Sequence, residues 1–315
     1  MQYNINRRRF VAAAGGVGVA ALAGCSGGES GDGLSWHAGG TDGTYYPLSG
    51  EFKTIIEDNT DYSVQVQSTG ASVANVSSLD GGDAEFALIQ NDIAYFAYNG
   101  TGIDDLEGNE MESIRGVATL YPETIHVVTQ ADSGIDSLED LEGTSINTGD
   151  AGSGTQVNAL QILETAGIEE GDFDEQNADF GTAADQVQDG DVDAAFTVGG
   201  WPVGAIEGLA TNQDINLVEI GGDLRDEILD GAEWFAEDTV PGGTYNGVDE
   251  DVETVSVQAM IATHDGVDEE VVEEVTTAIF DNTGDINTKA DFIDVDSAQE
   301  GMPIDLHAGA QAYFE

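Results

Sequence analysis

Two kinds of hydrophobic pattern alternate along this chain, and the alternation happens twice. An apolar run, Leu34–Ala38, reads as a buried strand and gives way to the glycine-rich stretch GGTDGTYYP. Apolar positions then recur at helical spacing from Tyr46 to Glu57. YSVQVQST (Tyr62–Thr69) predicts a second strand and ASVANVSSL (Ala71–Leu79) a second helix. GGDAEFALIQND (Gly81–Asp92) predicts a turn, a third strand and a polar loop. The order returns further on. TSINTGDAGSGT (Thr144–Thr155) supplies a strand and a glycine loop, Gln156–Ala166 a helix, NADFGTAADQV (Asn177–Val187) the middle, and DGDVDAAFTVGG (Asp189–Gly200) the close. Gly82-Asp83 corresponds to Gly190-Asp191. Strands alternating with helices predict an α/β protein with parallel sheets, whose ligands sit beyond the carboxyl ends of the strands. Both glycine loops fall at those ends.

Two such units predict two α/β lobes around a central cleft. TLYPETIHVVTQ (Thr119–Gln130) reads as one strand crossing between them and VETVSVQAMIATH (Val252–His264) as the return. A helix follows from Glu269 to Asp281, and the C-terminal part is expected to pack on the first lobe. Lobe 1 then comprises residues 34–125 plus 255–315, and lobe 2 residues 126–254.

Charge adds a setting. The chain carries 62 acidic residues against 7 basic ones, a formal charge of −55. Three of the seven are Arg7, Arg8 and Arg9, and the region after residue 33 keeps only Lys53, Arg115, Arg225 and Lys289. Nucleic acid is excluded as a partner, because phosphate contacts need Lys and Arg. The acids are dispersed among apolar runs, which argues for a folded protein adapted to high salt rather than an acidic disordered chain.

RRRFVAAAGGVGVAALAGC ends in Cys25. Its apolar run, Val11–Ala23, is too short to span a bilayer. Residues 1–25 therefore read as a signal peptide with a twin-arginine start and a lipobox, Cys25 as the lipidated residue, and 26–33 as a flexible tether. The protein is expected outside the cell membrane, held to its outer face. No other cysteine remains, and N-x-[ST] sequons stand at Asn75 and Asn99.

The glycine loops narrow the chemistry. GGTDGTYYP lacks the lysine of a Walker loop and the spacing of a dinucleotide loop. A Gly/Thr/Ser loop opening a helix offers free N–H groups to an anion. With Lys53 and Lys289 expected at the surface, a small carboxylate suits it better than a phosphate. Thr41, Thr44, Ser153 and Thr155 would satisfy it by hydroxyl, with Tyr45, Tyr46, Tyr121 and Trp201 as walls. Enzyme signatures are missing: the histidines are scattered, and no G-x-S-x-G elbow occurs. DGDVDAAF has Ala194 and Gly200 where a calcium loop needs Gly and Glu, so it reads as a turn. No cofactor and no metal is called for.

Several long motifs carry a resemblance. GGTDGTYYPLSGEF, QVQSTGASVANVSSLDGGDAEFALIQNDIAYFAYNGTG, the stretch from GVATLYPETIHVV to NTGDAGSGTQVNALQILETAG, VPGGTYNGVDEDVETVSV and EGMPIDLHAGAQAYF together resemble the TAXI family. These are solute receptors of tripartite ATP-independent (TRAP) transporters. The resemblance implies a type II periplasmic-binding-protein fold, closure of two lobes on a solute such as glutamate, glutamine or another small organic acid, and delivery to an ion-gradient-driven membrane permease. It places the ligand-binding set on Thr41, Thr44, Tyr45, Tyr46, Ser72, Gln90, Asn91, Asp92, Tyr121, Ser153, Thr155 and Gln156. Asn91 and Trp201 depart from the family's Ser and Tyr-type residues. Arg115 reads as structural. The alternatives are a receptor for an ABC importer, an enzyme of the same fold and a structural surface lipoprotein.

Overall fold

The computed structural model describes residues 33–41, 43–103 and 105–315, so the lipobox, Cys25 and most of the tether lie outside the described residues. The first repeat runs β1 (Gly33–His37), α1 (Tyr45–Asn59), β2 (Ser63–Gln67), α2 (Ser72–Gly81), β3 (Phe86–Gln90), α3 (Asn91–Asn99). β1 is flanked by β2 and β3, both parallel to it. The crossing strand β4 (Ile114–Gln130) leads to the second repeat: β5 (Ser145–Asn147), α4 (Gly154–Thr165), β6 (Asp174–Gln176), α5 (Phe180–Asp189) and β7 (Ala194–Val198). Here β5 is the centre, with β6 and β7 parallel on its two sides. After these come α6 (Gly204–Asn212), β8 (Ile215–Leu217), α7 (Gly222–Gly231), β9 (Ala236–Val240), β10 (Val252–His264), α8 (Glu269–Asp281) and α9 (Ala308–Phe314).

The repeat extends to individual hydrogen bonds. Gly82 and Gly190 both end a helix in the left-handed conformation, at φ 70° and 74°, where glycine avoids a β-carbon clash. The following Asp83 and Asp191 donate backward to Ser78 and Gln186 carbonyls. Two residues on, the Glu85 carboxylate accepts from Ser35 N–H and the Asp193 carboxylate from Ser145 N–H.

The strand order is β2-β1-β3-β10-β4-β7-β5-β6. β10 lies antiparallel to both β3 and β4, and β4 changes partner along its length, from β10 to β7 at Ile125. These two strands are the connection between the lobes. Their register slips between Gln258/Met260 and Thr119/Pro122. Such a bulge re-aims the side chains beside it and tolerates a proline within a strand; Tyr121 and Glu123 flank Pro122.

Each lobe has its own apolar filling. Trp36 is fully buried and stacks on Phe86 at 5.4 Å in the first, with Leu48, Phe52 and Ile56 from α1 and Val272, Val275 and Ile279 from α8. α8 spans the predicted Glu269–Asp281, and with α9 it packs the C-terminal part on lobe 1. In the second lobe Ile146, Phe196, Ile162 and Leu163 meet Val255 and Val257 of β10.

Three sequence expectations change. The polar loop after β3 is the first turn of α3, whose Ile93, Ala94, Phe96 and Ala97 bury one face. Asn75 is fully buried and its amide donates to the Ala38 and Leu88 carbonyls, which closes that sequon to modification; Asn99 is exposed. The crossing strand starts at Ile114, five residues before the apolar run that announces it. No helix among the described residues is long and apolar enough to cross a membrane.

Candidate functional site

The two repeats bring their helix starts together. A cavity of about 70 Å³ lies between them, lined from lobe 1 by Gly39, Gly40, Gly43, Thr44, Tyr45, Gly70, Ala71, Ser72, Gln90 and Glu123 and from lobe 2 by Asp150, Ser153, Gly154, Thr155, Asp179, Phe180 and Val198. The N-termini of α1, α2, α4 and α5 all border it. Each carries free N–H groups and the positive end of its dipole. Ser153 caps α4 by accepting from Gln156 N–H at 3.2 Å, and Asp179 caps α5 through Thr182 N–H at 2.9 Å. Ala71 precedes α2 at φ 67°, ψ −142°, a strained conformation for any residue but glycine.

Side chains from the two sides meet across the cleft. Gln90 reaches across to Gly154, where a β-carbon would overlap its amide oxygen. A β-carbon on Gly43 would stand 3.6 Å from the Phe180 ring. Deeper in, Asn158 of α4 donates to the Asp92 carboxylate at 2.6 Å, and both side chains are fully buried. Trp234 packs edge-on against Phe96 at 4.7 Å.

Glu123 is the main electrostatic feature. It is 4% exposed. Tyr45 donates to one oxygen at 2.8 Å and Tyr121 to the other at 3.2 Å. Burial raises its pKa to about 7, helped by the charge of Asp92, while hydrogen bonds from Tyr45, Tyr121 and Gln90 pull the other way. Asp92 is likewise raised to about 7 by burial, against bonds from Ile93 N–H and Asn158. Asp150 is pushed up by burial and by Asp179. Asp179 is held down by Thr182 N–H. The carboxylates press against the helix dipoles, so the cavity combines a positive field with acceptor groups.

Of the residues expected from sequence, Thr44, Tyr45, Ser72, Gln90, Ser153 and Thr155 border this cavity. Tyr121 stands behind it on Glu123. Thr41 borders a neighbouring interlobe opening together with Thr288 and Lys289. Tyr46 is exposed. Asn91 accepts from Gln258 N–H at 3.0 Å, which ties α3 to β10, and Asp92 holds Asn158. Gln156 bridges Gly152 N–H and Glu175. Trp201 meets Phe292 edge-on at 5.9 Å. Lys289, expected at the surface, is half-buried, and its ammonium donates to the Trp201 and Pro202 carbonyls at 3.0 and 3.2 Å. Arg115 sits at the start of β4 and donates to the Glu112 and Ile114 carbonyls. Sequence reasoning missed Glu123, Asp150, Asp179 and Phe180. Only Glu123 left a signal, as the one acid in the apolar crossing strand.

The sequence profile of the NMT1-like family matches residues 37–315. The chain belongs to the NMT1-like family. Its fold is that of periplasmic solute-binding proteins. PhnD1 of Prochlorococcus marinus, solved with methylphosphonate, superposes with a TM-score of 0.55 at 11% identity, over 82% of this chain and 88% of that one. The alkanesulfonate-binding protein SsuA of Xanthomonas axonopodis pv. citri, bound to MOPS, gives 0.50 at 13% identity, over 84% and 80%.

Proposed function

We propose that this NMT1-like protein is an extracytoplasmic solute receptor, tethered through a lipid on Cys25, that closes on a small organic acid and hands it to a membrane permease. The observation that carries the reading is the interlobe cavity bordered by four helix N-termini, two from each repeat. Such ends favour an acid group, and the Thr44, Ser72, Ser153 and Thr155 hydroxyls add donors. The lobe division at 125/126 and 254/255 is part of this proposal, with β4 and β10 as the flexing connection. Closure stabilises the loaded state and marks it for the permease. Nothing in the lining pairs a nucleophile with a base, and the reading is of a receptor rather than an enzyme.

The motif succession favours a TRAP permease of the TAXI class, driven by an ion gradient. An ABC importer is the second reading, because its receptors share this fold. Capture of the permease on solute-loaded protein separates them: a small four-helix subunit accompanies the first, an ATPase the second.

A thermal-shift panel in molar KCl, over carboxylic acids of two to five carbons, tests the receptor itself. A ligand that binds only the folded state raises the melting temperature. One saturable shift is the expected result; a flat panel from well-folded protein would remove the proposal.

A further inference from the structure

A chain of buried polar groups in lobe 2 takes no part in the cavity lining. His126 on β4 is 1% exposed. Its Nδ1 lies 3.0 Å from the Thr124 carbonyl oxygen and 3.2 Å from that of Thr197. Both oxygens only accept, so Nδ1 carries the proton and Nε2 is the acceptor. The Tyr245 hydroxyl donates to that Nε2 at 3.0 Å and accepts from the Val203 N–H at 3.0 Å. Burial, with the charge of Lys289, lowers the pKa of His126 to about 4 against the pull of the two carbonyls. The ring therefore stays uncharged at neutral pH.

The chain runs from the hinge to a jaw. At one end, Thr124 and His126 bracket Ile125, where β4 changes partner from β10 to β7. The Ile125 carbonyl accepts from the Thr254 hydroxyl of β10 at 2.8 Å. The Thr124 carbonyl also accepts from Gly199 N–H at 3.1 Å. At the other end, Val203 closes the loop that follows β7, and α6 starts there without a side-chain cap. That loop meets three residues of lobe 1. A β-carbon on Gly199 would stand 3.5 Å from the Thr44 hydroxyl, and one on Gly200 3.0 Å from both the Tyr121 ring and the Lys289 stem. The Lys289 ammonium donates to the next two carbonyls, of Trp201 and Pro202. Burial lowers its pKa, while the charges of Glu207 and Glu123 pull it back up. Lys289 thus ties the loop to the buried carboxylate as well.

We infer that His126 and Tyr245 are positioning residues: they set the Gly199–Val203 loop on the hinge strand before the lobes close, so that Thr44, Tyr121 and Lys289 close on a preformed jaw. This rests on the receptor reading and names the part of lobe 2 that must be in place for a solute to be held. A loop with two adjacent glycines loses much conformational freedom when it is ordered. If that ordering happened only on closure, it would oppose binding; held beforehand, the loop adds nothing to the cost. A buried polar chain with every member bonded fixes one arrangement, which an apolar filling at the same place would not.

Tyr245→Phe keeps the ring, removes both bonds of the hydroxyl and leaves the Val203 N–H buried without an acceptor. The probes are glycolate, pyruvate, succinate and L-glutamate in molar KCl, read by calorimetry and stopped-flow release. For a probe that saturates, Tyr245→Phe should weaken binding about tenfold or more, the order expected for a buried group without its partner. Lys289 grips the same loop, so the variant carrying both Tyr245→Phe and Lys289→Met should release about as fast as the faster single variant. A structural role alone would lower the melting temperature and leave the two effects on release multiplicative. Full affinity in Tyr245→Phe, or multiplicative release, overturns the inference and leaves the receptor standing. If the variant does not fold, hydrogen exchange on the wild-type protein decides. Without solute, the Val203 amide should exchange as slowly as the β7 amides, and a saturating probe should slow it by less than about twofold. Exchange at the rate of an exposed loop overturns the inference. No saturable binding of any of the four probes overturns the receptor reading and the positioning role with it.

Discussion

Gln90 at the end of β3 and Gly154 at the start of α4 interlock across the cleft: the Gln90 amide lies against the Gly154 α-carbon, and any β-carbon there would overlap it. Gly154 has an ordinary backbone, so its glycine answers the close approach alone. Gly154→Ala should therefore leave the open form intact and oppose closure. Overpacking costs about 1–3 kcal/mol, which at about 1.4 kcal/mol per tenfold predicts a loss of solute affinity of roughly 5- to 150-fold. Calorimetry measures the affinity, and the melting temperature of the solute-free protein should stay nearly unchanged. Unaltered affinity would mean that the lobes do not meet at this point in the loaded state.

Both residues stand in motifs that the repeat brings to the strand ends, so the cleft and its two jaws were legible. The partition within each motif was not. Tyr45 and Tyr46 are adjacent, yet the helix turns one onto Glu123 and the other to solvent, because successive helical positions do not share a face. Asn91 and Asp92 read as loop ligands, but a new helix begins there and turns them onto β10 and α4. Glu123 was hidden among 62 acids; its role depends on a bulge between two strands that are 136 residues apart in their pairing, Pro122 with Gln258.

Lys289 clasps the lobes on another side. Its ammonium holds the Trp201 and Pro202 carbonyls, and it borders the neighbouring opening beside Gly43 and Thr44 rather than the inner cavity. Lys289→Met keeps much of the stem and removes the donors. Charge-assisted bonds to a half-buried group contribute about 1–2 kcal/mol, so solute affinity should fall roughly 5- to 30-fold, mostly through faster release. Stopped-flow dissociation checks this. An unchanged release rate would show that the clasp does not hold the closed form.

Ala71 sits at φ 67° beside the cavity. Glycine takes that conformation without penalty. Ala71→Gly should raise the unfolding free energy by about 1 kcal/mol, measured as a shift in urea midpoint at constant slope. A lower midpoint would mean that the methyl packing against the Gly39 region outweighs the backbone strain.

The acidic surface sets a salt requirement. Three ion pairs among the described residues leave most carboxylates without a cation. Their mutual repulsion is screened over about 10 Å at 0.1 M salt but about 3 Å at 1 M. The melting temperature should climb steeply between 0.1 and 2 M KCl. A flat profile would show that the charge is accommodated without screening.

Stability should also fall as pH rises through neutrality. Glu123 and Asp92 both have folded pKa values of about 7, raised by burial from 4.5 and 3.8. Between the unfolded and folded values the native state binds more protons than the unfolded chain, so the slope of stability against pH is negative there. Their contribution is full below about pH 4 and is lost as pH passes through 7. His126 acts in the opposite sense. Burial lowers it to about 4, so its contribution is present above pH 6.5 and is lost as pH falls from there toward 4. His37 and His307 are lowered in the same sense, so in the window from pH 7 to 8 the histidine contribution is fading and the carboxylates set the sign of the slope. There the solute-free protein should lose urea stability as pH rises, and Glu123→Gln or Asp92→Asn should flatten the slope. The two are coupled through space, so the double variant should flatten it by less than the sum of the singles. A wild-type slope of zero across this window would mean that both groups titrate as ordinary solvated carboxylates.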